Sequence, residues 1–392
     1  MNQAITIGLA RMHMEVGERR DFLPSFVARL VRHGSKVVLE HGYGSGMGFA
    51  EDDYQTAQSN VQFAGREEVL EQEYVLVLRC PPDSELKQLR AGTTLISMLH
   101  YPTRPERVEL LRSLKVEGIS LDSIKDDNGK RIIENLKSVA WNGLEAGFQV
   151  LSRTYPTPGF ESGDRAPIHA TVLGVGAVGM HAVQAASRYG KLQLWQSLAS
   201  RGVPGVQVTA VDYDVASREH ILREILSNTD ILVDATQRPD TSRYVIPNEW
   251  IADMPSHAVI VDLSVDPYNF DVTPPEVKGI EGIPQGNLDQ YVFEPNDPAF
   301  ESLSNFVSTT NRRHVVSCYS WPGIHPRDCM ESYGNQLRPI MRKLIEKGGV
   351  QNINPKGLYF ERAIARATLS RWQGTEQSEF IKTKSRETSN KE

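Results

Sequence analysis

Residues Val172 to Val183 read V-L-G-V-G-A-V-G-M-H-A-V and place Gly174, Gly176 and Gly179 in a G-x-G-x-x-G spacing. Upstream, Ile168-His169-Ala170-Thr171-Val172-Leu173 reads as a buried strand. Downstream, Met180 to Tyr189 is rich in small residues and reads as a helix. Each glycine then has a separate task. Gly174 permits a tight strand-to-helix turn, and Gly176 lets backbone approach a pyrophosphate. Gly179 allows close helix packing, and the first helical N–H groups, around Ala177 and Val178, attract phosphate. The motif alone is weak, because glycine-rich turns are common. Its strand–turn–helix setting gives it weight.

The next strand, Val206 to Val211, ends at Asp212. An acid there hydrogen-bonds an adenosine ribose 2′-hydroxyl and repels a 2′-phosphate, so NAD is expected over NADP. Gly174 to Asp212 spans about 38 positions, against roughly 20 in the usual fingerprint. Lys191 to Pro204 is read as an insertion after the helix, and Asp214 competes with Asp212 for the ribose. Ala235 and Thr236, after the strand Ile231-Leu232-Val233, complete the expected cofactor edge.

The rest of the chain alternates strands with helices, which predicts parallel sheets. In the first part, strands are expected at Ala4–Leu9, Lys36–Glu40, Tyr74–Leu78, Thr94–Leu99 and Gly118–Leu121, with a helix over Leu23–His33. Ligands gather beyond the carboxyl ends of such strands, which brings Arg79, His100 and Asp122 towards one rim. Further strands are expected at Ala258–Leu263, leading to Asp266, and at Val315–Tyr319, with a long helix from Asp328 to Gly349.

With 392 residues, two domains are expected. A net charge of -6 argues against a broad nucleic-acid or anionic-membrane surface. No apolar run is long enough to span a bilayer, and the N-terminus lacks a secretory pattern. Cys80, Cys318 and Cys329 form no metal or disulfide spacing, so free thiols in a reducing cytoplasm are expected. No histidine shows ligand spacing, so no metal site is expected. The polar stretch 374–392 reads as disordered.

Taken in order, these segments resemble the alanine dehydrogenase and pyridine-nucleotide transhydrogenase family, which includes saccharopine dehydrogenases. The resemblance rests on Ile7-Gly8-Leu9-Ala10-Arg11 with Glu18-Arg19-Arg20, and on His33-Gly34 through Gly44-Ser45-Gly46. It continues through Met98-Leu99-His100, the Gly174 fingerprint, Asp262-x-x-x-Asp266 and Trp321-Pro322-Gly323. It implies two Rossmann-like α/β domains with an active-site cleft between them. Residues 1–150, completed by helices from 325 to 373, would bind substrate, and 151–324 would bind NAD. The implied activity is hydride transfer at the carbon bearing an amino acid's nitrogen, with an amino acid or 2-oxo acid as partner. The resemblance also allows a homo-oligomer.

The family's residues carry over one at a time. The resemblance assigns substrate carboxylate binding to Arg19, acid–base catalysis to His100, a place near the nicotinamide to Asp266 and ribose binding to Asp212. Arg79 stands where alanine and saccharopine dehydrogenases have an active-site lysine. A guanidinium is always protonated, so Arg79 is expected to clamp a carboxylate and to leave His100 as the acid–base group. Val139 to Gly143 is closer to the saccharopine branch. Three other readings stay open: an opine- or saccharopine-type condensing enzyme, an NAD-binding regulatory protein without turnover, and a transhydrogenase subunit. Duller roles also stand beside each residue. His100 can be a structural histidine, Arg79 can pair with Asp122, and Asp266 can cap a turn.

Overall fold

The computed structural model describes residues 4–12, 15–55 and 60–372. The chain divides into two units, one running to Glu134 and resuming at Pro326, the other Asn135–His325. The stretch 374–392, expected to be disordered, lies outside the described residues.

The first unit is built on β1 (Thr6–Leu9), β2 (Lys36–Glu40), β3 (Val61–Ala64), β4 (Tyr74–Arg79), β5 (Thr94–Met98) and β6 (Glu117–Ser120). All pair in parallel, in the order β3-β2-β1-β4-β5-β6. Central strands are covered on both faces, which explains the unbroken apolar run Tyr74-Val75-Leu76-Val77-Leu78. The helix Pro24–Arg32 buries Phe26, Val27, Leu30 and Val31, with proline in its first turn. The long helix Pro326–Lys347 also belongs here, and its Gly334 backs onto the Phe26 ring. Strand β3 has no counterpart among the strands expected from sequence. It is a four-residue edge strand whose residues are mostly part-exposed, so no apolar run marks it.

The second unit is built on β7 (Ile168–Leu173), β8 (Val206–Val211), β9 (Ile231–Asp234), β10 (Val259–Asp262), β11 (Val292–Phe293) and β12 (His314–Ser317). The order is β11-β12-β10-β9-β7-β8. The sheet is parallel except at the edge, where the two-residue β11 runs antiparallel to β12. The helix Leu136–Thr154 packs on this sheet, because Gly143 and Gly147 let its backbone approach Leu263 and Val261. A Cβ at those glycines would meet these side chains at 2.3 and 2.6 Å. That packing moves the division between units from the expected 150 to Glu134/Asn135. The segment read as an insertion contains the helix Leu192–Ser200, which accounts for the stretched spacing between Gly174 and Asp212.

Candidate functional site

The carboxyl ends of β7, β8 and β9 form one edge. Gly174 has φ +87°, and a Cβ on it would lie 2.7 Å from the carbonyl oxygen of Ala235. The backbone of Ala235 and Thr236 therefore lies directly against the turn. A Cβ on Gly179 would lie 1.9 Å from the Gly174 carbonyl oxygen, so the helix Ala177–Ala186 can sit this close only with glycine there. Gly176, which precedes that helix, faces open space. Ala177 is exposed and Val178 half-buried beside it. The bend is thus closed where glycine is needed for packing and open where a diphosphate would approach.

Asp212 follows β8 directly and is exposed; its carboxylate accepts a hydrogen bond from the Tyr213 N–H at 2.9 Å. Asp214 is also exposed and accepts from the Val215 N–H. The Thr236 N–H and hydroxyl both donate to Asp234 Oδ1, at 3.0 and 2.7 Å. Asp234 is fully buried, and burial, reinforced by nearby Asp262, pushes its carboxyl up to about 6.

Behind this edge lies a closed polar network. Lys278 and Asp262 are both fully buried and pair at 2.8 Å. Ser317 Oγ donates to the same carboxylate at 2.9 Å, and Val265 N–H to its other oxygen at 3.0 Å. Burial opposes ionisation of Asp262, but Lys278 and these donors hold its carboxyl below the usual range. Val265 has φ +59°, a strained conformation for a β-branched residue. Asp266 follows and pairs with Arg238 at 2.7 Å. The Trp321 indole N–H donates to the Asp262 carbonyl, which places the Trp321-Pro322-Gly323 turn in this support. His325 pairs with Glu145 at 2.9 Å.

In the first unit, a cavity of about 360 Å³ opens at the carboxyl ends of β1, β4 and β5. Arg79 and His100 both line it. His100 has φ +52°, and its ring Nδ1 lies 3.5 Å from Asp122 Oδ2. Its backbone N–H donates to Asp122 Oδ1 at 3.1 Å, and Ser120 Oγ donates to the same oxygen at 2.8 Å. Burial of Asp122 favours the protonated acid, but His100 and Ser120 together hold it well below the usual carboxylate range. Asp122 is thus an ionised group that fixes the His100 ring and leaves Nε2 for other partners.

Arg79 pairs with Glu15 at 2.5 Å, not with Asp122. Burial raises the Glu15 carboxyl above its ordinary value against the pull of Arg79. Glu15 Oε1 accepts from one terminal nitrogen of the guanidinium. Arg19 is exposed and does not line this cavity; the neighbouring Arg20 is buried, paired with Glu18 at 2.5 Å. A turn over Glu15–Glu18 precedes the two arginines, and Arg20, not Arg19, is buried. Arg11, two residues past the end of β1, lines the cavity, and its buried Nε has no hydrogen-bond partner. The strand-end rule that reaches Arg79 and His100 also reaches Arg11, just beyond β1. Arg66, another wall residue, is neutralised by Glu40 at 2.7 Å and Glu85 at 2.6 Å. Among the described residues, no group of three or more His, Cys, Asp or Glu is placed to hold a metal, and no helix is long and apolar enough to cross a membrane.

The alanine dehydrogenase/PNT N-terminal domain matches residues 14–140, and the C-terminal domain of the same family matches 144–267. The chain belongs to the alanine dehydrogenase/PNT family. Within the family, it is 23% identical over 335 residues to an alanine dehydrogenase of Mycolicibacterium smegmatis, covering 83% of each chain. It is 20% identical to an NAD(P) transhydrogenase subunit alpha of Haemophilus influenzae, covering 89% of this chain and 68% of that one. A solved L-alanine dehydrogenase superposes with a TM-score of 0.68 at 20% identity, covering 93% of this chain and 94% of the other. That likeness establishes the α/β fold with two largely parallel sheets.

Proposed function

We propose that the chain is an NAD-dependent oxidoreductase that interconverts an amino acid and its 2-oxo acid. The observation that carries this reading is the His100–Asp122 pair in an arginine-walled cavity, on a chain that also holds an open glycine bend. The family relatives named alanine dehydrogenase support the reaction class.

The glycine bend fits a dinucleotide, since Gly174 and Gly179 leave no space for a Cβ while Gly176 faces outward. A nicotinamide dinucleotide would supply the hydride acceptor in one direction and the donor in the other. The N–H groups around Ala177 and Val178 hold the diphosphate, with Ala235 and Thr236 beside it. Asp212 takes the ribose hydroxyls and, by its charge, disfavours a 2′-phosphate, hence NAD over NADP. Asp266, fixed by Arg238, helps hold the reactive end of the cofactor.

Arg79 exchanges Glu15 for the substrate carboxylate, and Arg11 adds a second guanidinium on the same wall. This fixes the reacting carbon. His100 Nε2 takes a proton from the substrate's ammonium nitrogen during oxidation and returns it during reduction, while Asp122 holds the ring. Arg79, always charged, binds rather than transfers protons.

A second reading is condensation of an amino acid with a 2-oxo acid into a secondary amine, favoured by a cavity of about 360 Å³, larger than a three-carbon acid requires. The test is NADH consumption with a panel of 2-oxo acids, each supplied with ammonium or with amino-acid donors. Turnover with ammonium supports deamination chemistry, and turnover only with amino acids supports condensation. NAD binding with no turnover on any arm would replace both with a regulatory role.

A further inference from the structure

The cavity holds more positive charge than one carboxylate needs, and the excess lies in one place. Arg11, Arg66 and Arg79 each face a carboxylate of the chain: Asp21 at 3.7 Å, Glu40 and Glu85, and Glu15 respectively. Arg104 and Arg107 line the same cavity beyond His100, and among the described residues neither pairs with a carboxylate. Arg107 is half-buried. One of its terminal nitrogens donates to the Leu99 carbonyl at 3.3 Å, while its Nε is buried without any acceptor. A buried donor left unsatisfied is costly, and an always-charged group cannot relieve the cost by losing its proton.

Arg104 adds to the imbalance. It immediately precedes the helix Pro105–Ser113, where the positive end of the helix dipole disfavours a cation. Two guanidiniums three residues apart, both on the cavity wall, thus lack an acidic partner among the described residues. His100 precedes both and also lines the cavity, so the two guanidiniums and the imidazole open on the same space.

We propose that Arg104 and Arg107 form a second anion subsite that selects an amino or 2-oxo acid bearing an additional carboxylate on its side chain. The inference rests on the cavity being the amino- or oxo-acid site. Arg79 and Arg11 hold the carboxylate beside the reacting carbon, and Arg107, with Arg104 at the more exposed rim, holds the distal one. Substrates with a small apolar side chain leave this pair unsatisfied.

The test is direct binding, by calorimetry on the full chain with NAD present, of 2-oxoglutarate and oxaloacetate against 2-oxobutyrate and pyruvate. Wild type should bind the diacids more tightly by roughly ten- to a hundred-fold, the range for one charge-assisted pair. Arg107→Ala should erase most of that preference while leaving monoacid binding within about two-fold, and Arg107→Lys should restore part of it. Arg104→Ala should cost less, because Arg104 is exposed. Monoacid binding without diacid preference, or equal loss of both classes in Arg107→Ala, would overturn the subsite and leave the proposed function standing. Binding of neither class would overturn both.

Discussion

The carboxyl ends of β4 and β5 in the first sheet and of β9 and β10 in the second lie in opposite electrostatic surroundings. In the first unit, Arg79 and His100 are each partly exposed and face an open cavity, while Asp122, which holds His100, is buried. In the second, Asp234, Asp262 and Lys278 are all fully buried and satisfied by one another, by Ser317 and by backbone. Parallel topology delivers polar residues to the same edge in both cases. Whether a strand end can take a small molecule or only holds loops in place depends on what covers it, and the second sheet carries both kinds, the open bend after β7 and the closed network after β10. An exposed pair can trade its partner for a ligand, whereas a buried one cannot do so without leaving a charge stranded.

The largest expected effect breaks the open side. His100→Ala should lower turnover by about a hundred- to ten-thousand-fold, the usual span for a lost general acid–base, with NAD affinity unchanged. Equal loss of both would assign His100 to the fold. Lys278→Met strikes the closed side. It leaves Asp262 buried and unpaired, so urea unfolding should register a loss of about 3–5 kcal/mol. A loss below about 1 kcal/mol would mean that water reaches the network.

Asp234 sharpens the contrast through pH. Its carboxyl, pushed up to about 6, keeps a proton that an unfolded chain releases near 4. Stability should therefore fall as pH rises from about 4 to 6, by up to about 3 kcal/mol, with the penalty fully present above that window. Asp234→Asn should flatten this slope in thermal melts across the range; an unchanged slope would locate the titration elsewhere. Asp122, held low, contributes stability in the opposite sense. Its stabilisation is present above about 4 and is lost only in stronger acid.

Arg79→Ala should weaken substrate binding by about 1.5–3 kcal/mol, read as a rise in KM, yet shift stability by less than about 1 kcal/mol. A large drop in melting temperature would show that the Glu15 pair is structural. The smallest effect is expected of Asp212→Ala, roughly a tenfold gain of NADP relative to NAD, measured by the ratio of kcat/KM for the two cofactors. An unchanged ratio would transfer the role to Asp214.

The two edges also differ in how far sequence reveals them. The glycine bend is local: strand, three glycines and helix are contiguous, so Ile168–Leu173 and Val206–Val211 could be delimited to the residue. The cavity is assembled from the ends of strands far apart in the chain. Strand-end reasoning reached Arg79, His100 and Asp122, but nothing in the sequence distinguishes Arg20 as buried from Arg19 as exposed. That choice is made by a turn and by the Glu18 carboxylate. Arg104 and Arg107 lie in a helix start with no periodic signal, and their significance appears only when the acidic partners of their neighbours are known. Lys278 was equally hidden, because a lone lysine sixteen residues after Asp262 reads as an ordinary surface cation until Gly279 is seen packed on Asp234.

The extra helix Leu192–Ser200 leaves β7 and β8 paired in step for all six residues. A crossover may therefore lengthen freely, provided it returns the chain to the same rung. Distances that matter to a bound nucleotide are counted across neighbouring strands, so a fingerprint measured along the polypeptide will overlook members of the family whose detours are longer but whose ladder is intact.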